Sequence, residues 1–132
     1  MDLGCGHGKF AARYFDTKLT MGLDLSYKAL KHARKVQIYK HLVLADAVHI
    51  SVCDNCFATV FSNSAIEHMP DLRGVLKEVL RVLQPGGTFV FTAPGHLFGE
   101  YLFLTDPFER LKRYLRTPNL RWRTTNTISA AR

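Results

Sequence analysis

The chain reads as an α/β fold, a doubly wound, mostly parallel sheet with flanking helices, and three observations carry that reading. Strand-type apolar stretches alternate with helical periodicities from the first residue to about position 93. A run of glycines follows the first strand signal, and acidic residues stand at the ends of the next two. The length of 132 residues suits one domain, and a content of 47% hydrophobic and 22% charged residues excludes bulk disorder. No uncharged apolar run approaches the roughly 20 residues that a membrane-spanning helix requires.

Met1 to Leu3 gives a shortened first strand that enters Gly4-Cys5-Gly6-His7-Gly8, and a helix is expected over Lys9 to Phe15. Leu19, Met21, Leu23 and Leu25 alternate through a second strand. Ser26 then offers a capping oxygen to a helix expected to run to about Lys40. Leu42 to Ala45 is a short buried-type strand ending at Asp46, and Phe57 to Phe61 is a fourth strand opening into Ser62-Asn63-Ser64. Leu72, Val75, Leu76, Val79, Leu80 and Leu83 share one helix face behind Asp71 as cap. Gln84-Pro85-Gly86-Gly87 stops that helix, because the residue before proline disfavours helix, and Thr88 to Thr92 is a fifth strand. No sixth or seventh strand is expected after Pro94. Residues 1–94 therefore form the predicted core, and 95–132 a basic, partly helical segment, with a helix over Asp106 to Arg116 and a mobile or interrupted stretch beyond it.

The formal charge of +7 is uneven: residues 1–100 hold 11 Lys/Arg against 9 Asp/Glu, whereas 101–132 hold 7 against 2. Three cysteines give no disulfide framework, and the opening residues lack the pattern of a secretory leader, so a reducing cytoplasm is the expected compartment.

The glycine run lets backbone approach a ligand, since each missing Cβ removes an obstacle. At the carboxyl edge of a parallel sheet such turns hold nucleotide-like cofactors, although the glycines alone equally fit a tight turn with no ligand. The spacing is GxGxG, with Lys9 where the third glycine of the dinucleotide fingerprint would stand, and no phosphate loop of the GxxxxGK[ST] type is present. Asp24 closes the second strand 20 residues after Gly4, where a carboxylate accepts hydrogen bonds from both ribose hydroxyls. Asp46, at the end of the third strand, is in position to accept from an adenine amino group. Each acid alone also fits a helix cap or a solvated loop.

Asp2-Leu3-Gly4-Cys5-Gly6-His7-Gly8, Gly22-Leu23-Asp24-Leu25-Ser26, Ala45-Asp46-Ala47, Phe61-Ser62-Asn63-Ser64-Ala65-Ile66-Glu67-His68, and Leu76 to Leu83 followed by Pro85-Gly86-Gly87 recur here in one order. Together they resemble a class I S-adenosylmethionine-dependent methyltransferase of the type 11 kind, over residues 1 to about 94. The resemblance implies a Rossmann-like sheet, S-adenosyl-L-methionine as cofactor, and methyl transfer to a small-molecule or lipid- or sugar-linked acceptor. It implies that Asp2 orients the turn and the methionine amino group, that Gly4, Gly6 and Gly8 lie against methionine and ribose, and that Asp24 holds the ribose hydroxyls. By the same resemblance Leu25 flanks the adenine, Asp46 meets its amino group, Ala47 donates its backbone N–H to the ring, and Asn63 stands beside the sulfonium. His68, next to Glu67, is the candidate catalytic base for an acceptor that must lose a proton; the alternative is a histidine that packs the turn before Pro70.

Other constellations are weaker. Cys53-Asp54-Asn55-Cys56 with His49 offers soft ligands but no second ligand pair, so no metal is expected and two separate thiols are the plainer reading. The basic tail, with Tyr101, Phe103, Phe108, Tyr114 and Trp122 interleaved, leaves RNA open as a partner, against a solvated helix as the alternative. Ser62-Asn63-Ser64-Ala65 lacks the Asn/Asp-Pro-Pro-aromatic sequence of enzymes that methylate nucleic-acid amino groups, and Phe57-Ala58 departs from the family's usual Phe-Asp. The first strand lies mid-sheet in this fold, so a three-residue version is expected to leave its neighbours short of backbone partners. A fragment, a mis-assigned start or a degenerate copy is the expectation, with a non-catalytic remnant or partner-binding module and a nicotinamide-dependent oxidoreductase as alternative functions.

Overall fold

The computed structural model describes residues 1–93, 121–123 and 127–129. Five parallel strands, β1 (Asp2–Leu3), β2 (Leu19–Asp24), β3 (Tyr39–Leu44), β4 (Phe57–Asn63) and β5 (Leu83–Thr92), alternate with helices α1 (Lys9–Tyr14), α2 (Tyr27–Val36) and α3 (Leu72–Val82). The sheet order is β3-β2-β1-β4-β5-β7-β6, where β6 (Arg121–Arg123) and β7 (Thr127–Ser129) pair antiparallel to each other and β7 antiparallel to β5. The α/β, doubly wound architecture is thus as the sequence predicts, but the absence of strands after Pro94 is corrected. Strands of three residues carry too little alternation to show as periodicity. The helix expected over Asp106 to Arg116 lies outside the described residues.

Local signals account for most boundaries. Ser26 Oγ accepts from Ala29 N at 3.2 Å and Asp71 Oδ1 from Gly74 N at 2.9 Å, so both predicted caps are in place. Helix α2 stops at Val36, short of Lys40, because Gln37 takes a left-handed φ of 56° and the chain becomes extended again at Tyr39. The third strand consequently starts three residues before Leu42. Strand β5 likewise starts at Leu83, which pairs with Phe57 before Pro85-Gly86-Gly87 shifts the register.

Helices cover both faces of the sheet. Beneath α3, Leu3, Leu23, Val60, Val75, Val79, Val82, Leu83 and Phe89 form an almost solvent-free core. The opposite face holds a smaller cluster of Cys5, Ala11, Leu30, Ala33 and Tyr39 under α1 and α2. The short central strand is tied on both sides: Met1 N donates to Thr59 O at 2.8 Å, Phe61 N to Met1 O at 2.9 Å, and Gly4 N to Leu23 O at 2.8 Å. Expected shortages of partners are therefore met at Met1 and Leu23.

Cys53 and Cys56 are joined in a disulfide across a turn with a Cα–Cα distance of 5.8 Å, which corrects the reading of two separate thiols. The turn closes because Asn55 takes φ 56° while its N–H donates to Arg81 O at 2.9 Å. No group of three or more His, Cys, Asp or Glu is arranged to hold a metal among the described residues, and none of their helices is long and apolar enough to cross a membrane.

Candidate functional site

The winding of the sheet reverses between β1 and β4, and ligands in such folds bind outside the carboxyl ends of the strands at that point. A cavity of about 460 Å³ opens there, within the range of small-molecule sites. Gly4, Asp24, Leu25, Asp46 and Ala47 line it from the β1, β2 and β3 ends, and Ser64, Ala65, His68, Met69 and Asp71 from the loop after β4.

Asp24 links the two sides of the turn that the sequence marked out. Its Oδ2 accepts from Gly6 N at 2.7 Å and its Oδ1 from Ser26 N at 2.8 Å. Each carboxylate oxygen retains acceptor capacity after one such bond, which is what two adjacent hydroxyl donors require. Asp46 is held the same way, with Oδ1 accepting from Val48 N at 3.1 Å in a local turn. Leu25 is 71% exposed, an apolar surface beside the carboxylate with no core to fill.

The glycines divide by role. Gly4 has φ 74°, and a Cβ there would lie 2.5 Å from Ala65 Cβ, so the close approach of the β4 loop demands glycine. A Cβ at Gly6 would meet nothing within 4 Å, so its bare backbone faces open space beside Asp24. Asp2, Gly6 and Gly8 are not among the cavity-lining residues; the place of a Cβ on Gly8 is pressed by the Tyr39 ring at 3.0 Å and by Ala33.

Asp2 lies below the turn, 3% exposed, with Oδ2 accepting from the Tyr39 hydroxyl at 2.6 Å. Burial raises its carboxyl to about 6, against the lowering effects of the Tyr39 hydrogen bond and the Met1 amine. Asn63 sits at the end of β4 outside the lining, its Oδ1 accepting from Thr92 Oγ1 at 2.8 Å. His68 lines the cavity with its side chain 78% exposed, and its Nε2 stands 3.9 Å from Glu67 Oε1, beyond hydrogen-bond reach. Glu67 Oε2 is buried without a hydrogen-bond partner among the described residues. Buried polar atoms of that kind call for an explanation. The sequence pointed to Glu67 only as the neighbour of His68 and to Ala65 only as part of a motif, and it gave no sign of Tyr39 or Met69.

The sequence profile of the "Methyltransferase domain" family matches residues 1–91. The chain belongs to this family. It is 37% identical over 94 residues to a malonyl-[acyl-carrier protein] O-methyltransferase of Hamiltonella defensa, covering 70% of this chain and 36% of that protein. A 27-O-demethylrifamycin SV methyltransferase of Amycolatopsis mediterranei is 30% identical over 115 residues, covering 81% of this chain and 40% of its own length. The chain thus spans well under half the length of these relatives. Its fold matches that of a SAM-dependent methyltransferase of Thermotoga maritima with a TM-score of 0.75 at 22% identity, over 92% of this chain and 62% of that one. S-adenosylmethionine is the cofactor of the family, and the turn in this methyltransferase domain fits it. Two partly satisfied carboxylates line a largely apolar cavity, one of them bonded to the bare glycine backbone.

Proposed function

We propose that this chain binds S-adenosylmethionine in the cavity at the β1 to β4 ends and carries out methyl transfer to a small-molecule or carrier-linked acceptor. The observation that supports it most is the 2.7 Å bond from Gly6 N to Asp24 Oδ2, which brings the glycine turn and the strand-end acid to one point. On this reading Asp24 takes the ribose hydroxyls, Asp46 and Ala47 the adenine edge, Leu25 its face, and Asp2 the amino group. When bound, the cofactor supplies an electrophilic methyl on sulfonium, so the protein's task is position and exclusion of water. Gly4 and Ala65, in contact across the turn, set the width of the cavity between the two loops. His68 is the proposed proton acceptor from the acceptor substrate, with Glu67 as its nearest carboxylate.

The acceptor class rests on the names of the relatives, one acting on a malonyl group on a carrier protein and one on a rifamycin. The segment shared with this chain covers 36% and 40% of those relatives. Thermal melting with added S-adenosylmethionine tests the proposal. At about 100 times the dissociation constant it stabilises the fold by roughly 2.7 kcal/mol, a rise on the order of 10 °C. NADH leaves melting unchanged. A rise with NADH alone would restore the oxidoreductase alternative, and none with either would favour a non-catalytic module.

A further inference from the structure

We propose that Tyr39 is a positioning residue for the amino-acid end of the cofactor, with its ring filling the space that Gly8 and Gly22 leave under the glycine turn and its hydroxyl fixing the Asp2 carboxylate. This deepens the function proposed above and rests on Asp2 receiving the amino group. Three observations carry it. A Cβ on Gly8 would lie 3.0 Å from Tyr39 Cε2, and one on Gly22 3.0 Å from Cδ1 and Cε1, so both missing side chains make room for one ring. That ring spans from β2 to the start of α1, and the phenol ends 2.6 Å from Asp2 Oδ2 inside the protein. Packing on its own needs no hydroxyl here, since phenylalanine would fill the same volume. The hydroxyl serves the acid.

A buried carboxylate is of use to an ammonium ligand only while it is charged and aimed. The groups facing Asp2 are Tyr39 from β3, Asp24 from β2, the Met1 amine just before β1, and Cys5 in the turn. Burial and Asp24 favour the protonated acid, whereas the Tyr39 hydrogen bond and the amine favour the carboxylate. Burial and the adjacent Asp2 push the Tyr39 phenol well above its ordinary range, so it stays a donor at all working pH values. Removing the hydroxyl leaves burial and Asp24 less opposed, and Asp2 loses its charge at a higher pH.

The experiment compares two ligands on wild type, Tyr39→Phe and Tyr39→Leu from pH 6 to 9. S-adenosylhomocysteine carries the amino-acid arm, and 5′-methylthioadenosine lacks it. Tyr39→Leu lowers the melting temperature throughout, whereas Tyr39→Phe lowers it less and mainly towards pH 9, where the Asp2 carboxylate is charged without its donor, which separates the ring from the hydroxyl. In Tyr39→Phe, S-adenosylhomocysteine binds about tenfold more weakly at pH 7, with recovery towards pH 9, and 5′-methylthioadenosine binds as before. Equal weakening of both ligands, or a pH profile superimposable on wild type, overturns the proposal. Asp2→Asn is measured in parallel and serves also if Tyr39→Phe fails to fold. Loss of S-adenosylhomocysteine affinity with a flat pH profile is expected of it. Retained affinity in Asp2→Asn would overturn the role of Asp2 and this inference with it, whereas loss there beside an unaffected Tyr39→Phe would overturn only the inference.

Discussion

The two faces of the sheet are built on opposite terms. Under α3 the side chains are large, aliphatic or aromatic, and dry: Phe89 is 1% exposed and Val60 and Val82 are fully buried. Under α1 and α2 the buried interior is made of Ala11, Ala33, Cys5, Leu30 and one tyrosine, and it holds a buried acid. Apolar burial near 25 cal/mol per Å² makes the first face the main source of stability. The second is built of smaller side chains around the Tyr39 ring beneath the glycine turn. One side supplies most of the apolar burial and also walls the cavity through Leu23, Ala47 and Val75, and the other supports the glycine turn from below.

The comparison breaks most visibly at Phe89. Phe89→Ala removes a buried ring and costs about 3–5 kcal/mol, read as a large drop in melting temperature. Where the variant remains folded, its affinity for S-adenosylhomocysteine stays close to wild type, since Phe89 does not line the cavity. On the other face the expected change has the opposite sign. Asp2 titrates near 6 in the folded protein against 3.8 for the free side chain, so the folded state binds the extra proton between these values and loses stability as pH rises through that window. Asp2→Asn therefore melts higher than wild type at pH 8, by about 2 kcal/mol of stability, with the gain disappearing towards pH 4 and ligand affinity lost. A variant that melts lower at pH 8 would show that the acid serves the fold.

The smallest effect belongs to the bracket behind Asp46. Arg81 donates to Glu78 through Nε at 2.8 Å, to Asp54 at 2.6 Å, and to the carbonyls of Ile50 and Val52, while Glu78 Oε2 accepts from Ile50 N at 2.8 Å. The Arg81 hydrogen bonds hold the Glu78 carboxyl down near 2, so its stabilisation is complete above the ordinary 4.5 and is lost as pH falls towards 2. Arg81→Met flattens the acid limb of a stability-against-pH curve and weakens S-adenosylhomocysteine binding slightly, by loosening the segment that follows Asp46. An acid limb as steep as wild type would remove Arg81 from that account.

Much of this was legible in the residues. Alternation at Leu19, Met21 and Leu23, the 3.6-residue spacing of α3, and the caps Ser26 and Asp71 all report short-range physics, and the structure follows them. The junction of Gly6 with Asp24 was legible because a strand end and a turn on adjacent parallel strands must meet. Tyr39 was not, because helical periodicity carries through to Lys40 and only the left-handed Gln37 ends it. Its partner Asp2 is 37 residues away, and Gly8, one of the two glycines that admit the ring, reads as a ligand glycine. The strands β6 and β7 were hidden for another reason: each has three residues, and their support comes from pairing with β5.

The central claim is that Asp24 and the glycine turn form one nucleoside site. Isothermal titration of S-adenosylhomocysteine into the wild-type chain and Asp24→Ala, with circular dichroism to confirm that both are folded, measures it directly. The account predicts one site per chain in the wild type and an affinity at least a hundredfold weaker in Asp24→Ala, from the loss of two hydrogen bonds to a charged acceptor and of the anchor for Gly6. Equal affinity in the two folded proteins would contradict it.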